Sequence, residues 1–209
     1  TCALPIYMKN KKGFTLVELM IVIAILAILA AIVIFALNPA ELFRRARDSQ
    51  RMSDLRVLSS ALSYYLADAT TPILDGAANT KCTGGSGADT LFGTGVTSSA
   101  PTGWTWQVST DRKVDGTGWL PTNFSSTGSA PIGQLPMDPS NGGQAGSPST
   151  FYTFACDTSL NFEINANMES TNYKAKEADD GGDLAEVYEI GTRIVGLLPA
   201  AITSYYPNH

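Results

Sequence analysis

Lys11-Lys12-Gly13-Phe14-Thr15-Leu16-Val17-Glu18 leads into nineteen residues, Leu19 to Leu37, that carry no charge. The 24 residues from Phe14 to Leu37 would span about 36 Å as a helix, enough to cross a bilayer core of about 30 Å with some tilt. Glu18 is out of place in a plain anchor, because a charge at a helix centre costs about 2.5 to 3.5 kcal/mol on insertion scales. Serine near the helix end would avoid that cost, so Glu18 reads as a carboxylate kept for a partner. A cleaved secretory signal fits poorly. The run is longer than a usual apolar signal region, and Asn38-Pro39-Ala40-Glu41 is a poor small-residue cleavage site.

The string K-K-G-F-T-L-V-E-L-M-I-V-I-A-I-L-A-I-L-A from Lys11 to Ala30 resembles the class III signal of type IV pilins and type II secretion pseudopilins. The resemblance implies cleavage by a membrane prepilin peptidase between Gly13 and Phe14, N-methylation of Phe14, and retention of the helix. Glu18 becomes the fifth mature residue and is expected to pair with the N-terminal amine of a neighbouring subunit. Small residues at Ala24, Ala27, Ala30 and Ala31 would let packed helices approach closely. A start at Met8 gives a short basic leader, Met8 to Gly13, and Thr1 to Tyr7 is then expected to be a non-native sequence-assembly scar. Cys2 falls within it.

Charge narrows the function classes. Without Lys9, Lys11 and Lys12 the chain keeps 11 basic and 19 acidic residues, a net of −8. That disfavours a nucleic-acid-binding domain, which needs clustered Lys and Arg. Lys9, Lys11 and Lys12 mark the cytoplasmic flank, although Arg44, Arg45, Arg47 and Arg51 crowd the other one. A long following domain is exported largely regardless of charge, so the N-terminus is placed inside. The single histidine, His209, supports no Ser-His-Asp or Cys-His pairing, and nothing points to an enzyme or an obligatory cofactor.

Beyond Pro39 the helical period resumes. Leu55, Leu58, Leu62 and Tyr65 form one apolar stripe, with Arg44 and Asp48 at i,i+4 expected on the solvated side. Pilins resemble this plan, although their helix-breaking proline usually lies a few residues before Pro39. Residues 70–103 are rich in Gly, Ala, Ser and Thr and read as a connecting region. Strand signals follow at Trp104–Val108, at Phe151–Cys156, at Phe162–Met168 with one face inward, and at Val187–Ile190. The strings L-P-M-D-P-S-N at 135–141 and V-Y-E-I-G at 187–191 also resemble C-terminal segments of pilin-like proteins.

The expected architecture is α+β: a long N-terminal helix, membrane-spanning then amphipathic, packed on a small antiparallel sheet. Its parts are residues 1–7, the leader 8–13, the spanning helix 14–37, the amphipathic continuation 38–68, an αβ-loop 69–103 and the sheet domain 104–209. In an oxidising compartment a disulfide is the default for the lone pair Cys82 and Cys156, two buried thiols being the other state. Asp179, Asp180 and Asp183, set around Gly181-Gly182, could offer oxygens to calcium; acidic glycine-rich runs are more commonly solvated turns. The resemblance implies a pilus or related filament as the function. Its partners would be the prepilin peptidase, copies of itself and other pilins, an inner-membrane assembly platform with its ATPase, and membrane lipid before assembly. Two other readings are a type II secretion pseudopilin and a membrane-tethered binding or adhesion domain that never polymerises.

Overall fold

The computed structural model describes residues 13–83, 89–94, 100–140, 150–199 and 202, with the side chains of 35–37 left aside. The leader residues before Gly13, the segment 1–7 and His209 lie outside the described residues. The chain forms two compact units, Thr1–Leu42 and Phe43–His209.

Helix α1 runs Leu16–Leu37. It is apolar on every side, and the span Leu16–Ile34 has a mean hydropathy of 3.1 with no residue buried. Asn38 then adopts a left-handed conformation (φ 40°), and Pro39 opens α2, Pro39–Asp68. Proline suits a first helical position because the amide it lacks would have no intrahelical partner there.

In the second unit α2 presents Leu55, Leu58, Leu62 and Tyr65, all buried, as the stripe spacing predicts. The sheet has five strands: β1 (Asp89–Gly93), β2 (Trp104–Val108), β3 (Tyr152–Cys156), β4 (Phe162–Ala166) and β5 (Tyr188–Gly191). Their order is β2-β1-β3-β4-β5. Pairing is antiparallel except between β1 and β2, which run parallel. Strand β1 lies within the stretch read from composition as a connection. Its two large apolar residues serve opposite faces: Phe92 joins the α2 side and Leu91 the other.

Period-2 alternation splits the core in two. Facing α2, Phe92, Tyr152, Phe154, Phe162 and Ile164 pack with Trp119, Phe124 and Leu135. On the far face Leu91, Phe151 and Ala155 meet Leu184, Val187, Leu197, Leu198 and Ile202. The three central strands, β1, β3 and β4, are therefore buried on both sides, while the edge strand β2 exposes Thr105 and Gln107. This corrects the reading of Phe162–Met168 as a strand with one face inward, because Glu163 and Asn165 are fully buried too.

Candidate processing and assembly site

Gly13 and Phe14 are exposed and precede the helix, with Phe14 91% accessible. A Cβ on Gly13 would meet no heavy atom within 4 Å, and its φ is not in the left-handed region. The local fold therefore has no need of glycine at this position, and its use is left to whatever reads the chain there.

Thr15 and Glu18 form a reciprocal cap on α1. The Thr15 hydroxyl accepts from the Glu18 amide at 3.2 Å, and Glu18 Oε2 accepts from the Thr15 amide and hydroxyl, each at 2.8 Å. Two amides that lack intrahelical acceptors are satisfied in this way. Besides the partner expected for Glu18 from another subunit, Thr15 partners it within the chain, which the capping-box spacing T-L-V-E signals. The exposed carboxylate thus has a fixed direction at the start of α1, while an apolar surface runs without interruption from Leu19 to Ile34. A helix apolar all round must be covered by lipid or by other helices.

A second constellation fixes the start of the globular unit. Arg51 is fully buried. It donates to Asp48 Oδ1 at 2.6 Å, to Asp138 Oδ2 and Oδ1 at 2.6 and 3.0 Å, to Ser140 Oγ at 3.0 Å and to Glu169 Oε1 at 3.1 Å. Asp48 also accepts from the amides of Glu169 and Ser170, and Arg47 pairs with Glu169. This corrects the expectation that Asp48 sits on the solvated side: it is fully buried and faces Arg51. The string L-P-M-D-P-S-N acquires a physical role here. Leu135 fills the core, the Pro136 carbonyl accepts from Trp119 Nε1 at 2.9 Å, and Asp138 neutralises Arg51. Burial opposes ionisation of Glu169, but hydrogen bonds from Arg47 and the Arg51 charge hold its carboxyl below the usual range.

Cys82 and Cys156 are joined by a disulfide that ties the segment after α2 to the end of β3. The aspartates read as possible calcium ligands do not converge. Asp179 is exposed. Asp180 caps the amides of Gly182 and Glu189, at 2.8 and 2.6 Å, and Asp183 accepts from the Gly196 amide at 2.9 Å. Among the described residues no three acidic, Cys or His side chains are placed to hold one ion. Loop carboxylates here serve backbone amides, which compete for the same oxygens.

Residues 8–34 match the family described as the prokaryotic N-terminal methylation motif. Over 127 aligned residues the chain is 34% identical to the type IV wide pilus major component PilA4 of Thermus thermophilus, covering 45% of this chain and 97% of that protein. It is 40% identical over 72 residues to fimbrial protein Q of Moraxella bovis, covering 34% of this chain and 45% of that protein. No solved structure matches significantly. With the capped apolar helix, the methylation motif and nearly the full length of a pilus component all on one chain, the protein belongs to the type IV pilin family.

Proposed function

We infer that the chain is a structural subunit of a type IV pilus or closely related filament. It is cut between Gly13 and Phe14, methylated on the new Phe14 amine, and polymerised through α1. The observation that carries this reading is the uninterrupted apolar surface of α1 with one oriented carboxylate, Glu18, at its start. Before assembly, lipid covers that surface, with the N-terminus on the cytoplasmic side of the inner membrane. In the filament, helices of other copies replace lipid, and the globular unit faces out. Prepilin peptidase, an assembly platform and its ATPase are the implied partners. An ATPase-driven platform would lift the processed subunit from the membrane.

Glu18 would set axial register by meeting the Phe14 amine of a neighbour away from water, where breaking such a pair leaves a costly uncompensated charge. Glu18→Ala is expected to remain membrane-inserted while filament number falls at least tenfold, counted by electron microscopy against membrane-fraction immunoblots. Normal filament numbers would remove the pairing from the account.

A further inference from the structure

On the sheet face away from α2, two glutamates lie side by side in an apolar layer. Glu163 is fully buried and Glu189 is 2% exposed. They come from paired strands, with Glu163 opposite Gly191 and Asn165 opposite Glu189. Gly191 permits the close approach: a Cβ there would fall 2.0 Å from the Phe162 carbonyl oxygen. Glu189 Oε2 accepts from the Leu184 amide at 2.9 Å. Among the described residues, Glu163 Oε1 and Oε2 and Glu189 Oε1 receive no hydrogen bond from any N–H or hydroxyl.

We propose that Glu163 and Glu189 share one proton, Glu163 holding it and donating to Glu189, so that the domain takes up a proton when it folds at neutral pH. The argument is one of satisfaction. An ionised carboxylate only accepts, and of the four oxygens of this buried pair only Glu189 Oε2 meets a donor, the Leu184 amide. A protonated carboxyl supplies the missing donor, and like charges at close range keep the pair from ionising twice.

The surroundings favour the same state. From the 179–186 loop, Asp180 and Asp183 add negative charge. From β3, Ala155 and Thr153 lie opposite Glu163 and Asn165 and bring no charge. Asp157, at the end of β3, is engaged by Asn161 and by Arg193 at 3.1 Å. The C-terminal segment contributes Leu197, Leu198 and Ile202. Burial first, then the hydrogen bond to Glu189 and its charge, push Glu163 from the ordinary 4.5 up to about 10, and burial likewise raises Glu189.

The sign follows from linkage. The folded state holds a proton that the unfolded state releases above about pH 4.5, so this pair's stabilisation is complete below that pH and is lost as pH rises toward about 10. Loss of one bound proton raises the unfolding constant up to about tenfold per pH unit. This pair by itself would thus weaken the domain as the solution turns alkaline.

The test is urea unfolding of the full chain in detergent micelles across that window, for wild type and Glu163→Gln, which keeps a donor but cannot titrate. The variant is expected to flatten the pH slope by up to one proton. An unchanged slope overturns the proposal. Infrared spectra of the wild-type protein near pH 8 need no variant: a protonated-carboxyl band is expected, and its absence also overturns the idea. Added calcium that raises the wild-type unfolding midpoint but not that of Glu163→Gln would place a cation, not a proton, between the two side chains and overturn it too.

Discussion

Glu18 and Arg51 are both charges placed where charge is expensive, one at the start of an apolar helix and one in the core. Glu18 is exposed and held by Thr15. Arg51 is buried and held by Asp48 one turn away on its own helix and by Asp138 and Glu169 from distant parts of the chain. Burial works against the Arg51 charge, yet its hydrogen bonds to Asp138 and Asp48 and the charges of Asp138 and Glu169 keep it firmly protonated. Arg51→Met is expected to destabilise the globular unit by about 3–5 kcal/mol, because it strands buried carboxylates rather than merely losing one contact. Arg51→Lys should rescue little, since an ammonium cannot span Asp48, Asp138 and Glu169 in a planar fork. Urea unfolding of the full chain in micelles measures both. The network was hard to read from sequence. Asp48 lies four residues from Arg44, a spacing that suggests an exposed helix pair, while its partner is Arg51 at i+3. Asp138 lies 87 residues further on. The Glu18 cap, by contrast, is legible in the four letters from Thr15 to Glu18, which the methylation motif shares.

Among the elements, the long helices α1 and α2 and strands β2 to β5 follow from pattern, and the reasons are local. In lipid an unbroken apolar run satisfies its backbone groups by coiling into a helix, a 3.6-residue stripe selects a helix, and alternating Phe162, Ile164 and Ala166 selects a strand. Strand β1 does not follow. Asp89-Thr90-Leu91-Phe92-Gly93 sits in a polar, glycine-rich run and is extended because β2 and β3 pair with it on either side. The parallel direction of β1 and β2 is equally a tertiary choice that no residue announces. The disulfide belongs to this scale, since Cys82 anchors the segment before β1 to the end of β3 over 74 residues. Closing such a loop contributes roughly 4 kcal/mol on the chain-entropy model. Replacing both cysteines by serine should therefore lower the urea midpoint markedly while leaving α1 inserted in the membrane. Equal midpoints for the variant and wild type would deny the bond that role.

For the molecule as a whole, opposite titrations shape stability against pH. The Glu169 and Asp157 carboxyls are lowered in the folded state despite burial, Glu169 by Arg47 and Arg51 and Asp157 by Asn161 and Arg193. Their contribution is present above the ordinary carboxylate range and disappears as pH falls through their folded values. Burial raises Glu177 to about 7 despite a hydrogen bond from the Met168 amide, so its contribution is complete in acid and fades as pH rises toward neutrality. Unfolding midpoints should peak on the mildly acid side, decline steeply in strong acid and decline gradually toward alkali. A plateau extending from neutrality into alkali would contradict that balance. Polymerisation requires that α1 be kept after processing. Mass spectrometry of the protein taken from cells with an active prepilin peptidase tests it most directly. A mature chain beginning at N-methylated Phe14 is the predicted result; a chain that still carries Gly13 would contradict it and leave only a tethered domain.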